Sequence, residues 1–167
     1  RHPSIAGLLA GGTTPEGVVY VVSEFVEGVP MFDWAQQKKL NLHQRLNLFQ
    51  QAAAAVDYAH RSLVVHRNLT PNNIRVAPNG KVSICDFGLA RIFTEHEIKP
   101  FAIDPAATPR YASPEQVSYQ EVNTSTDIYA LGVILYELIT QGESPYKLNH
   151  PSFHDYIEAT RHQTPRR

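Results

Sequence analysis

The chain has 167 residues, one domain's worth or less, and at 43% hydrophobic it can bury a sizeable core. Fifteen basic against sixteen acidic residues leave a formal charge of -1, which favours neither nucleic acid nor an anionic membrane as a partner. A single cysteine, Cys85, excludes an internal disulfide and sets the expectation of a reducing, cytoplasmic compartment.

Ile5 to Leu9 reads as a strand, Gly11-Gly12-Thr13-Thr14-Pro15 as a loop, and the β-branched run Val18 to Val22 as a buried strand. Gly28 and Pro30 then break the chain. Asn41, with Gln44 three residues on, is a capping-box signature. Leu42, Leu46, Phe49, Ala53, Val56 and His60 follow at steps of four and three, one apolar stripe on a helix reaching about Ser62. Val64-Val65 leads into an extended piece ending at His66-Arg67-Asn68. Residues 74–77 and 81–85 flank Pro78-Asn79-Gly80, a strong hairpin signal. Residues 89–114 hold four prolines and little periodicity, which predicts a long loop. A second helix runs from about Thr126 to Thr140, with Gly142 as its stop, and residues 152–161 suggest a third. The most apolar stretch, Ile128 to Ile139, is interrupted by Tyr129, Tyr136 and Glu137 and is too short to span a membrane. The order of elements is α+β.

Three signatures stand on these elements. His66-Arg67-Asn68-Leu69-Thr70-Pro71-Asn72-Asn73 lies between the long helix and the hairpin. Asp86-Phe87-Gly88 follows the hairpin directly. Ser113-Pro114-Glu115 closes the long loop, ahead of Asp127 and Gly132 in the next helix. Together they resemble the protein-kinase set of catalytic loop, Asp-Phe-Gly and Ala-Pro-Glu. At about one chance in twenty per position, coincidence in order and spacing is on the order of 10⁻¹⁴. Thr108-Pro109-Arg110-Tyr111 looks like the serine/threonine branch, and Asp127-Ile128-Tyr129-Ala130-Leu131-Gly132 like bacterial-type members.

The resemblance covers nearly the whole chain and implies a protein-kinase-like fold. Residues 1–27 would be small-lobe strands and hinge, and 28–167 an incomplete large lobe. It implies ATP and magnesium as cofactors, and a protein substrate or a regulatory protein as partner. Asp86 and Asn73 take the metal-ligand positions, one a hard carboxylate and the other an amide oxygen. Glu24 and Val26 fall on the hinge, whose backbone groups bond the adenine edge in the family, with Ser23 as gatekeeper. His66, Phe87 and Leu8 resemble spine members. Asp127 resembles the buried aspartate that holds the catalytic loop, Arg67 the partner of a phosphorylated loop residue, with Thr94 and Thr108 as acceptors, and Tyr111 a packed residue.

Several positions depart from the pattern. Asn68 stands where an active kinase carries its proton-accepting aspartate, and an amide has no useful basicity. Thr70 stands where serine/threonine kinases carry a lysine on the transferring phosphoryl group. Arg75 falls at the adenine floor, usually aliphatic. Ala107 replaces a glycine and Ser113 an alanine. Neither a glycine-rich phosphate loop nor a Val-Ala-Ile-Lys strand is present, nor an arginine to pair with Glu115. The expectation is a pseudokinase or a severely impaired kinase acting by binding or regulation. The alternatives are an active serine/threonine kinase and a nucleotide-free protein-interaction module.

Overall fold

The computed structural model describes residues 2–87, 109–148 and 152–166. Expectations for Gly88, Thr94, Ala107 and Thr108 lie outside the described residues. Among the described residues, five strands, β1 (Leu8–Thr13), β2 (Val19–Ser23), β3 (Val29–Pro30), β4 (Ile74–Val76) and β5 (Val82–Ile84), make two small antiparallel sheets, β1-β2 and β3-β4-β5. The described helices are α1 (Met31–Gln37), α2 (Leu42–Arg61), α3 (Pro114–Val117), α4 (Thr124–Thr140) and α5 (Phe153–His162). The α+β reading holds.

The long helix starts where the sequence places it. Asn41 accepts from the Gln44 N–H and Gln44 reaches back to the Asn41 N–H, both at 3.0 Å. Its buried side, however, is Leu48, Ala52, Ala55, Val56 and Ala59, which shares only Val56 with the predicted stripe. Leu42 is exposed, and Leu46, Phe49 and Ala53 sit at the margin. The alanines are small enough to let α4 approach closely. Arg45 crosses that contact and donates to the Leu138 carbonyl at 2.9 Å. Met31, Leu48, Val56, Leu69, Ile74, Ile84, Ile134 and Leu138 fill the core between α2, α4 and the three-stranded sheet.

The hairpin forms as expected. Gly80 takes φ +82, a left-handed conformation that favours glycine, and the Asn79 side chain accepts from the Lys81 N–H at 3.0 Å. Gly28 is equally constrained. At φ +139, a Cβ there would lie 2.4 Å from the Val76 carbonyl oxygen. The chain therefore passes hard against the end of β4 as it leaves residues 24–27.

The first thirty residues differ most from the reading. Gly11, Gly12 and Thr13 are strand, not loop, and pair with Val21, Tyr20 and Val19. Gly12 leaves room for the Tyr20 ring, whose hydroxyl oxygen would sit 2.7 Å from an added Cβ. Ile5 instead makes a parallel bridge with Ile84, through Ile84 N–H to Ser4 (2.8 Å) and Ala6 N–H to Ile84 (2.9 Å). The second strand is not buried: Val18, Tyr20 and Val22 are exposed, because no described element covers the β1-β2 pair on that side. Helices α1 and α3 were not anticipated. The first begins directly after Pro30, with its φ of -52, and the second carries Pro114 at its start behind a Ser113 capping box.

The end of α4 and the turn at Pro109–Tyr111 share one buried ionic contact. Arg110 pairs with Glu137, and the Tyr111 hydroxyl donates to the same carboxylate at 2.8 Å. Burial pushes the Glu137 carboxyl up and Arg110 opposes it. Burial and the neighbouring carboxylate also push the Tyr111 hydroxyl up, so it stays a donor. Glu137 had looked like an interruption of an apolar stretch. It is the group that fixes the segment leading into Ser113-Pro114-Glu115.

Candidate functional site

The site is built where the loop 66–73 meets the end of the hairpin. Asp127, fully buried in the first turn of α4, organises it. Its Oδ2 accepts from the His66 N–H (2.8 Å) and lies 2.7 Å from His60 Nε2, while its Oδ1 accepts from the Arg67 N–H (2.9 Å). A buried carboxylate is tolerable only with donors of this kind around it. They let Arg67 hold φ +69, a left-handed conformation unusual for a non-glycine residue. His60 was assigned only to the apolar stripe of α2, and nothing in that spacing marked it as a ligand of Asp127. From the other side, Gln116 of α3 donates to the Arg67 carbonyl at 2.7 Å, a contact no sequence motif signalled.

His66 is fully buried and joins two loops. Its Nε2 lies 2.9 Å from the Cys85 carbonyl, and its Nδ1 lies 3.3 Å from the Asn68 N–H. A carbonyl can only accept and an N–H can only donate, so both bonds together require the neutral Nε2–H tautomer. Burial, ahead of the opposing pull of Asp127, holds the imidazole pKa below its ordinary 6.5. The folded state resists a proton that the unfolded chain accepts, so acid favours unfolding. Stability is expected to fall as pH drops through 6.5 toward the depressed folded value, by up to about 1.4 kcal/mol per pH unit from this one group. Denaturant unfolding between pH 7.5 and 5.5 measures the slope, and a flat profile would contradict it. The His66 ring also lies 4.6 Å, centroid to centroid, from that of Phe87. Leu8, predicted as a spine member, is exposed, and it lines with Phe87 a cavity of about 720 Å³.

Asn73 lies one residue and Asp86 two residues beyond the Ile74–Ile84 pair at the end of the hairpin. The Cys85 N–H donates to the Asn73 carbonyl at 2.9 Å, so the ladder gains one more rung and holds them together. The Asn73 side-chain amide donates to the Asn68 carbonyl at 2.8 Å, which leaves its oxygen free to accept. Asp86 takes φ +64, a second left-handed non-glycine residue. Burial, with the Asp86 carboxylate next, pushes the Cys85 thiol up to about 11, and Arg75 opposes them. The cysteine is therefore a protonated thiol, not a nucleophile.

No group of three or more histidine, cysteine or carboxylate side chains placed to hold a metal ion occurs among the described residues. The offered pair is one carboxylate and one amide oxygen. That suits magnesium, a hard cation that keeps several waters and takes further oxygens from phosphates.

The remaining predicted residues fall around this centre. Asn68 is exposed and Thr70 half-buried, its carbonyl accepting from the Asn73 N–H at 3.1 Å. At the hinge positions, Glu24 exchanges bonds with Gly7, giving its N–H (2.8 Å) and accepting on its carboxylate (2.9 Å). The Glu24 carbonyl and the Val26 N–H and carbonyl have no hydrogen-bond partner among the described residues. Arg75, on β4, donates to the Gly28 carbonyl. Glu115 accepts from the buried Thr126 hydroxyl at 2.6 Å, a partner supplied from within the chain.

Known proteins are similar to this chain. The SNF1-related protein kinase catalytic subunit alpha KIN12 of Arabidopsis thaliana is 35% identical over 83% of this chain and 27% of its own length. The dual specificity protein kinase shkC of Dictyostelium discoideum is 31% identical over 98% of the chain and 33% of its own length. The "Probable serine/threonine-protein kinase PknB" of Lactococcus lactis is 33% identical over 87% and 23%. The chain thus spans between about a quarter and a third of these relatives. No described helix is long and apolar enough to cross a membrane. With the family model for the protein kinase domain matching residues 1–165, the chain belongs to the protein kinase family.

Proposed function

We propose that this domain is a catalytically impaired kinase, a pseudokinase whose role is binding or regulation rather than turnover. One observation carries the reading. The loop is tied down on both sides of Asn68, whose N–H bonds His66 and whose carbonyl accepts from the Asn73 amide. Yet the side chain that should take a proton is an amide. The Asn68 oxygen can accept a hydrogen bond from a substrate hydroxyl and orient it, but it cannot remove the proton. Loss of a general base typically costs about 10²–10⁴-fold. Thr70 cannot supply the cationic contact of a lysine, a further loss of about 10²–10³-fold.

Residues 1–27 act on this reading as small-lobe strands and hinge, and 28–167 as part of the large lobe. The Glu24 carbonyl and the Val26 backbone face the base edge of ATP. Asn73 and Asp86 hold magnesium, which when bound neutralises the phosphates. Its partners are ATP and a regulatory protein. The lone thiol, Cys85, goes with a cytoplasmic location.

The full-length protein tests this. Phosphate transfer from ATP to a generic basic protein and to itself is expected to stay at background. Mg-ATP is expected to raise the unfolding temperature, and Asp86→Ala to abolish that rise. Robust transfer by the unmodified protein would sink the impairment reading. A rise unchanged by Asp86→Ala would sink the metal assignment.

A further inference from the structure

We infer that Arg75 is a specificity-determining residue that closes the floor of the nucleotide cleft against the purine base, leaving the phosphates and metal as the main source of affinity. This rests on the nucleotide reading given above. Ile74 and Val76 are fully buried on the core side of β4, and Val82 and Ile84 match them on β5. Strand alternation therefore puts Arg75, with its neighbour Ser83, on the opposite face. From there the side chain runs past the end of the β3-β4 pairing to the Gly28 carbonyl. Gly28 admits no side chain, since a Cβ there would lie 2.4 Å from the Val76 carbonyl oxygen, so its backbone runs close against the end of β4. The guanidinium is thus fixed between the segment that leaves residues 24–27 and the strand that carries Asn73.

Two effects compete when an aromatic base covers this group. A stacked guanidinium gains a cation–π contact, about 0.5–2 kcal/mol. Covering it also strips water from up to four remaining N–H donors of a cation with no carboxylate partner among the described residues. A flat stack centred under the base would further require release of the Gly28 carbonyl, a charge-assisted bond. The desolvation and the lost bond outweigh the stack, so the base gains little here.

The experiment uses the full-length protein and three probes: adenosine, Mg-ATP and Mg-tripolyphosphate. In the unmodified protein, Mg-tripolyphosphate is expected to bind within about threefold of Mg-ATP, because the base contributes little. Arg75→Met keeps the stem without the charge and is expected to tighten both adenosine and Mg-ATP by about tenfold or more. Arg75→Leu serves as a second variant should the methionine form fail to fold. Mg-ATP binding more than about tenfold tighter than Mg-tripolyphosphate in the unmodified protein overturns the inference. So does unchanged or weaker adenosine binding in a folded variant. Robust phosphate transfer by the unmodified protein overturns the impairment reading instead, whatever Arg75 does.

Discussion

Converting Asn68 to aspartate and Thr70 to lysine together is expected to raise phosphate transfer from ATP by about 10³-fold or more in the full-length protein. The loop backbone needs no rebuilding. The Asn68 N–H rests on His66, its carbonyl receives the Asn73 amide, and the Thr70 carbonyl caps the turn at Asn73. Asn68 is exposed, so an aspartate there carries little desolvation cost. The half-buried Thr70 has its side chain outside the turn's hydrogen bonds, so a lysine displaces no cap. Asn68→Asp alone is expected to give part of the gain and Thr70→Lys alone almost none, since groups that act on one transition state are grossly non-additive. Initial rates with labelled ATP measure all four combinations. A double variant as inert as the parent would mean that these two positions do not limit transfer.

What the sequence made legible, and what it hid, divides on physical grounds. Asn41-Gln44 and Asn79-Gly80 are local devices. Capping and turn chemistry act within a few residues, so α2 and the hairpin start where they were predicted. Asp127 and His66 were legible because a fixed motif order carries them. Gln116, His60 and Glu137 were not. Each acts across the fold, on Arg67, Asp127 and Arg110 respectively, and its partner lies 27 or more residues away. The strand β1 was misplaced because glycine normally argues for a loop. Here Gly12 makes room for Tyr20 on the paired strand, a reason visible only once the register is known. The alternating burial that sets Arg75 on the face away from the core was likewise hidden until both strands of the hairpin were placed.

Asp127→Ala is expected to cost this domain about 3–5 kcal/mol of stability, more than any single change at Asn68 or Thr70. The carboxylate is fully buried and accepts from two backbone N–H groups and one imidazole. Truncation leaves three donors without a partner, and each buried unsatisfied donor costs about 1–3 kcal/mol before any water enters the gap. Asp127→Asn is a sharper probe than it looks. Its oxygen can serve one side, but its NH₂ then faces donors rather than acceptors, so it is expected to recover only part of the loss. His60→Ala removes the imidazole bond alone and is expected to cost about 1–2 kcal/mol, since the two backbone bonds remain. Denaturant unfolding of the full-length protein separates the three variants. A backbone-holding carboxylate requires Asp127→Ala to be the least stable, Asp127→Asn to come next and His60→Ala to be the most stable of the three. Near-equal stability of Asp127→Ala and His60→Ala would mean that the His60 contact, and not the loop backbone, is what Asp127 serves.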